Sequence, residues 1–266
     1  MEKKNLDWSN IGFSYMPTDK RYVADYKDGV WGEGRLTDDP NVVINECAGI
    51  LQYCQEVFEG LKAYTTEDGS IVTFRPDLNA KRMMDSARRL DMPPFPEERF
   101  LEAVDAVVRE NAAWVPPYGS GATFYLRPYM FASGPVIGVK PSQEYQFRLF
   151  GTPVGPYFKG GAKPLTICVS DFDRAAPHGT GHVKAGLNYA MSLHASVTAH
   201  SAGFDENMFL DPATRTYVEE TGGANFLFVT KDGNVVTPKS DSILPSTRRS
   251  LIYVAEHYLG MKATER

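Results

Sequence analysis

One amine in this 266-residue chain has an unusual setting. Lys184 closes the run Arg174-Ala-Ala-Pro-His-Gly-Thr-Gly-His-Val-Lys184, where Gly179 and Gly181 let the backbone turn sharply or approach another group closely. Residues 188–200 read as a helix, so Lys184 lies on a turn leading into it and Tyr189 in its first turns. Two readings of the lysine stand side by side. It is a solvated surface amine, as most lysines are, or an amine kept partly neutral by burial and able to form a Schiff base. Spacing alone does not choose. Lys62 is a rival amine, but it sits in a strand pattern one residue from a turn, with no partner group at a useful spacing.

Glu219 and Glu220 precede Thr221-Gly-Gly-Ala-Asn225, a flexible turn between two strands. Neighbours in a strand face opposite ways, so only one of these carboxylates can serve an inward site; the alternative is a pair of exposed strand-end glutamates. Ser246 and Thr247 open a helix over 248–258. Free N–H groups at a helix start attract anions, and serine and threonine cap them; both roles can hold at once.

The elements that must position these groups follow from pattern and breakers. Residues 22–26 and those from Val30 flank an Asp28-Gly29 turn, and 61–64 and 71–74 flank Glu67-Asp-Gly69; both read as hairpins. Asp77 is expected to cap a helix through Asn79, Arg82, Met83, Ala87 and Leu90, broken by Pro93, Pro94 and Pro96. Residues 97–114 show helical spacing at Phe100, Val104, Val107 and Val108. A strand over 123–127 meets Pro128, and another covers 146–150. The Gly- and Pro-rich stretch 151–164 reads as a linker, which sets domains at 1–155 and 156–266. Strands follow at 165–169, 206–210, 216–218, 225–229 and 235–237, and a last helix over 246–258.

Composition narrows the function classes. Hydrophobic residues make up 42% and charged residues 23%, ordinary for a soluble globular protein. A net charge of −5 offers nothing to a nucleic-acid backbone. No stretch has the length and apolarity of a membrane span or a leader, so the expected location is cytoplasmic, with no membrane partner. Cys47, Cys54 and Cys168 are too scattered for a disulfide framework or a zinc site, and the five histidines show no ligand spacing; no metal is expected.

Four blocks together resemble branched-chain-amino-acid aminotransferases, pyridoxal-phosphate enzymes of fold-type IV. They are residues 174–189 with Arg174, Lys184, Asn188 and Tyr189; residues 217–229; residues 53–64 followed by 74–83; and residues 124–128. They occur in the family's order over nearly the whole chain, which is far more specific than one motif. The resemblance implies a mixed α+β/α/β fold of two domains, a smaller N-terminal α/β domain and a C-terminal mixed-sheet pseudo-barrel that is the larger in the family. It implies pyridoxal 5'-phosphate as cofactor and transamination of leucine, isoleucine and valine with 2-oxoglutarate, a reaction of branched-chain amino-acid biosynthesis. It also implies a homodimer, with the loops near 136–139 and 151–161 close to the partner's site.

By the same resemblance Lys184 is the catalytic amine and Tyr189 the donor to the cofactor's phenolic oxygen. Glu220, chosen by counting back from Asn225, is the acid beside the pyridine nitrogen. Arg75, Arg174, Ser246 and Thr247 hold phosphate. Tyr15, Tyr53, Phe58 and Tyr125 line the pocket for an aliphatic side chain, and Arg127 orders that wall and helps admit glutamate. The family continues past the position of Arg266 through a turn that binds phosphate and substrate carboxylate. The second domain is therefore expected to be incomplete, and the chain weakly active or poorly soluble by itself. D-amino-acid aminotransferases and aminodeoxychorismate lyases share the lysine and glutamate, but not Tyr53, Phe58-Glu-Gly60 and Tyr125-Leu-Arg127 together. A cofactor-free remnant acting through association is the remaining reading.

Overall fold

The computed structural model describes residues 2–156, 163–246 and 248–266. The chain divides into two compact units, Met1–Ala162 and Lys163–Arg266, and the mixed α/β architecture expected from the sequence is the one observed.

The first unit carries strands β1 (Arg21–Lys27), β2 (Val30–Trp31), β3 (Arg35–Thr37), β4 (Glu56–Phe58), β5 (Leu61–Thr65), β6 (Ile71–Thr73), β7 (Thr123–Ala132) and β8 (Tyr145–Val154). They make one sheet in the order β2-β1-β8-β7-β5-β6, with β3 added to β1 and β4 to β7. Asp28 and Gly29 both take positive φ, 52° and 83°, as expected of a tight two-residue hairpin turn. The unit also carries helices α1 (Gly49–Tyr53), α2 (Pro76–Arg89) and α3 (Glu97–Glu110). Strand alternation sorts the residues of β7. Phe124, Leu126 and Met130 are buried, while Tyr125, Arg127 and Tyr129 project on the other face, half-buried. The buried face of β8, Phe147 and Leu149, shares a core with Phe95 and with Phe100 of α3; the Phe95 and Phe147 rings stack with centroids 3.9 Å apart.

Several sequence expectations need correction here. Pro128 does not end its strand. β7 runs on to Ala132, because at Pro128 the flanking chain is passing from β4 to β5, and what it needs there is an acceptor: Glu59 N–H donates to the Pro128 carbonyl at 2.7 Å. The linker expected over 151–164 begins too early. Gly151 to Val154 belong to β8 and pair with β7, and Gly151 is required where a Cβ would stand 2.3 Å from the Phe124 ring. Residues 157–162 of that stretch lie outside the described residues. Asp77 does not cap α2; the helix opens on Pro76 behind a left-handed Arg75, and Asp77 pairs with the Arg75 guanidinium. The helix expected to reach Trp114 stops at Glu110, where Asn111 turns its side-chain amide back onto the Val107 carbonyl.

Among the described residues, the second unit contains two three-stranded sheets. β9 (Ile167–Val169), β10 (Glu206–Leu210) and β11 (Val218–Thr221) form the first, ordered β11-β10-β9, with helix α4 (Gly186–Ser201) as the crossover between the parallel β9 and β10. β12 (Phe228–Val229), β13 (Val235–Thr237) and β14 (Ala263–Glu265) form the second, with α5 (Arg248–His257) between the parallel β13 and β14. The strand expected from residue 225 begins only at Phe228; Asn225 instead makes an isolated bridge to Glu220. Among the described residues no helix is long and apolar enough to cross a membrane.

Candidate active site

Lys184 lies one residue before the capping position of α4, at the end of a loop pinned from within the helix. Asn188 is buried, and its amide nitrogen donates to the carbonyls of Thr180 and Val183, both at 2.8 Å. Its amide oxygen accepts from the Thr180 hydroxyl at 2.8 Å. Three bonds from one side chain therefore fix the turn that presents the lysine. Lys184 is half-buried, and its Nζ donates to the Tyr189 hydroxyl at 2.9 Å. The five-residue spacing noted in the sequence has become a direct contact.

Glu220 sits on β11 with only 4% of its surface exposed. Its Oε1 meets Arg174 Nη2 at 2.7 Å and accepts from the Leu244 N–H at 3.2 Å; its Oε2 accepts from the Asn225 amide at 2.8 Å. Burial pushes the carboxyl above its ordinary value, while Arg174 and the two N–H donors pull the other way. Arg174 also donates to the carbonyls of Gly181 and Ser242. The lysine's loop therefore touches the carboxylate's partner. Gly181 permits this approach, since a Cβ there would lie 2.1 Å from the Ser242 oxygen. The alternative of two exposed glutamates does not hold. Both are buried, Glu219 on the hydroxyls of Ser240 and Ser242 at 2.5 and 2.6 Å.

Among the described residues, Arg174 Nε and Asn225 Oδ1 are buried without a hydrogen-bond partner, on either side of Glu220. Buried polar atoms without partners are rare and call for a ligand or a solvent molecule. With an amine beside a phenol, they form a set suited to a cofactor that has both a ring nitrogen and an anionic oxygen. The other groups named from the sequence in this unit are less engaged. Ser246 is exposed just ahead of α5, and Thr247 lies outside the described residues.

In the first unit, Phe58, Tyr125 and Arg127 form one cluster. The Arg127 guanidinium lies 4.7 Å from the Phe58 ring centre and 5.3 Å from that of Tyr125, and it donates to the Tyr125 hydroxyl at 3.0 Å. Phe13, which the sequence did not single out, packs edge-on against Tyr125 with centroids 5.6 Å apart. Gly60 is required beside them, because a Cβ would fall 2.3 Å from the Tyr125 oxygen. Tyr15 packs edge-on against Phe150, and the Tyr53 hydroxyl reaches the Ile137 carbonyl. Arg75 is exposed and forks onto Asp77 at 2.9 and 2.8 Å. Lys62 lies half-buried on β5 in register with Tyr125, as a sheet residue.

An amine set on a phenol, with a buried carboxylate tied to the same loop through Arg174, suits amino-group chemistry at a carbonyl. Residues 56–266 match the model of the family described as Amino-transferase class IV, and the chain belongs to that family. Within it, the chain is 52% identical over 268 residues to the branched-chain-amino-acid aminotransferase of Haemophilus influenzae, covering 98% of this chain and 78% of that one. A crystal structure of the branched-chain aminotransferase of Thermoproteus uzoniensis with norvaline superposes with a TM-score of 0.77 at 26% identity, over 93% of this chain and 77% of that one. The Thermobaculum terrenum branched-chain amino acid aminotransferase, in its PLP-form, gives 0.76 at 25% identity, over 94% and 78%.

Proposed function

We propose that this protein is a branched-chain-amino-acid aminotransferase that uses pyridoxal 5'-phosphate to exchange an amino group between leucine, isoleucine or valine and 2-oxoglutarate. The observation that carries this reading is the buried Glu220 tied, through Arg174 and Gly181, to the loop that sets Lys184 on Tyr189. The bound cofactor supplies the electron sink that makes the substrate Cα proton removable. Lys184 carries that proton, a task worth about two to four powers of ten in rate. Tyr189 orients the amine and donates toward the cofactor's phenolic oxygen. Glu220, whose burial raises its proton affinity, holds the proton of the ring nitrogen.

Arg75, Arg174, Ser246 and Thr247 are assigned to phosphate. Arg75 and Arg174 each already pair with a carboxylate, so a phosphate there shares the guanidinium with it. Phe58, Tyr125 and Arg127, with Tyr15 and Tyr53, receive the aliphatic side chain. An apolar wall separates substrates by only about 1–3 kcal/mol per methylene, which groups leucine, isoleucine and valine together. The reading includes a cytoplasmic homodimer.

The test is spectroscopic and then kinetic. Protein loaded with pyridoxal phosphate should show a visible absorbance band that Lys184→Ala abolishes, and should form glutamate from 2-oxoglutarate and L-leucine. A band that survives the substitution, or turnover of D-amino acids alone, would overturn the assignment.

A further inference from the structure

The second carboxylate of β11 has no task in the chemistry above. Glu219 is 4% exposed, and among the described residues no cation lies within ion-pair distance of it. Its Oε1 is held instead by two neutral hydroxyls, those of Ser240 and Ser242. Those hydroxyl oxygens lie 3.0 Å apart, and the Ser242 N–H donates to the Ser240 oxygen at 3.2 Å. A buried acid without a counter-ion is expensive unless its acceptors are well used.

What this arrangement achieves is visible on the backbone of the same segment. The Ser242 carbonyl accepts from Arg174; the Leu244 N–H donates to Glu220; the Leu244 carbonyl accepts from Asn225 at 3.1 Å. Residues 240–244 are thus clamped from two sides by consecutive residues of one strand. Their hydroxyls go to Glu219, and their backbone serves Glu220 and the two side chains that hold it. Alternation along a strand makes this possible, because neighbouring side chains leave it in opposite directions.

We propose that Glu219 is a positioning residue of the transamination centre: by holding the hydroxyls of Ser240 and Ser242 it fixes segment 240–244, whose backbone orients Arg174 and Glu220. The proposal rests on the reading of Glu220 as the partner of the cofactor's ring nitrogen. It assigns Glu219 no contact with substrate or cofactor. The Glu219 charge also adds to burial in raising the proton affinity of Glu220, a smaller effect in the same direction.

Two variants separate geometry from simple stability. Glu219→Gln keeps an oxygen able to accept from both serines; Glu219→Ala keeps none. In cofactor-free protein, hydrogen–deuterium exchange at the amides of 242–244 should quicken about tenfold in Glu219→Ala and stay within about threefold of wild type in Glu219→Gln. In loaded protein, Glu219→Ala should lower kcat for leucine about tenfold with KM within about twofold, and Glu219→Gln should restore most of it. Wild-type exchange and kcat in Glu219→Ala would overturn the proposal, as would a Glu219→Gln protein as impaired as the alanine variant. Should Glu219→Ala fail to fold, Ser242→Ala takes its place; exchange there unchanged from wild type would equally overturn it. A wild-type protein lacking the Lys184-dependent visible band would instead remove the transamination reading, while the exchange difference between the variants would persist.

Discussion

Arg174 and Glu220 meet as a buried ion pair, Nη2 to Oε1 at 2.7 Å, with 10% and 5% of their side chains exposed. Hydrogen bonds to Gly181, Ser242, Asn225 and Leu244 hold the two groups in place, so a charge left by removal of its partner stays buried. Removing one partner of such a pair costs about 3–5 kcal/mol. Arg174→Met should therefore lower unfolding stability by about that amount in urea titrations. Arg174→Met with Glu220→Gln should recover a large part, because no charge is then left alone. Equal losses in the single and double variants would show that the charge is not what the site requires.

Tyr189 accepts from Lys184 Nζ at 2.9 Å, and its ring centre lies 5.2 Å from that nitrogen. Tyr189→Phe keeps the ring and deletes the hydroxyl. A hydrogen bond to a charged group is worth about 1.5–3 kcal/mol, so kcat for leucine should fall by about ten- to a hundredfold while KM changes little. Steady-state kinetics with leucine check the split; a loss confined to KM would place the hydroxyl in substrate binding instead.

The Gly60 position has no room for a methyl group, since a Cβ would lie 2.3 Å from the Tyr125 oxygen. Gly60→Ala should push Tyr125 off Arg127 and raise KM for leucine, with an overpacking cost of about 1–3 kcal/mol in stability. Because the atom in the way is the hydroxyl, Tyr125→Phe in the same chain should relieve part of that cost. Thermal unfolding of the single and double variants measures it; no relief would mean that the clash lies elsewhere on the ring.

The turn chemistry was legible in the sequence because Asp28-Gly29 and Asp68-Gly69 are local signals, set by backbone freedom at one or two residues. Lys184 draws notice for the glycine-flanked turn before it, but spacing does not choose its role, and Tyr189 and Glu220 are assigned only through the family resemblance. What was not legible depends on distant chain. Glu219 looks like an exposed strand-end acid until Ser240 and Ser242, 21 and 23 residues later, close over it. Phe13 gains meaning only from β7, and Pro128 looks like a strand end unless the neighbouring chain is seen to pass at Glu59 from β4 to β5, both paired with β7. Asn188 was in view, but its three bonds run to a turn whose course no local pattern gives.

Burial pushes the Tyr145 phenol from 10.0 up to about 12. The folded value lies above the unfolded one, so the neutral phenol's contribution is complete below pH 10 and is lost as pH rises through about 12. Tyr145→Phe should flatten the fall in melting temperature over that alkaline interval and leave it unchanged at neutral pH. A parallel fall in both proteins would assign the alkaline limit to another group.

Phe58 ends one strand, Tyr125 and Arg127 lie along its neighbour, and backbone register fixes all three at once. A surface ruled by a hydrogen-bonded ladder cannot reshape itself around a guest as a hinged flap would. If the proposed side-chain pocket lies here, its selectivity is set by side-chain volume and can be re-cut one residue at a time without disturbing the frame.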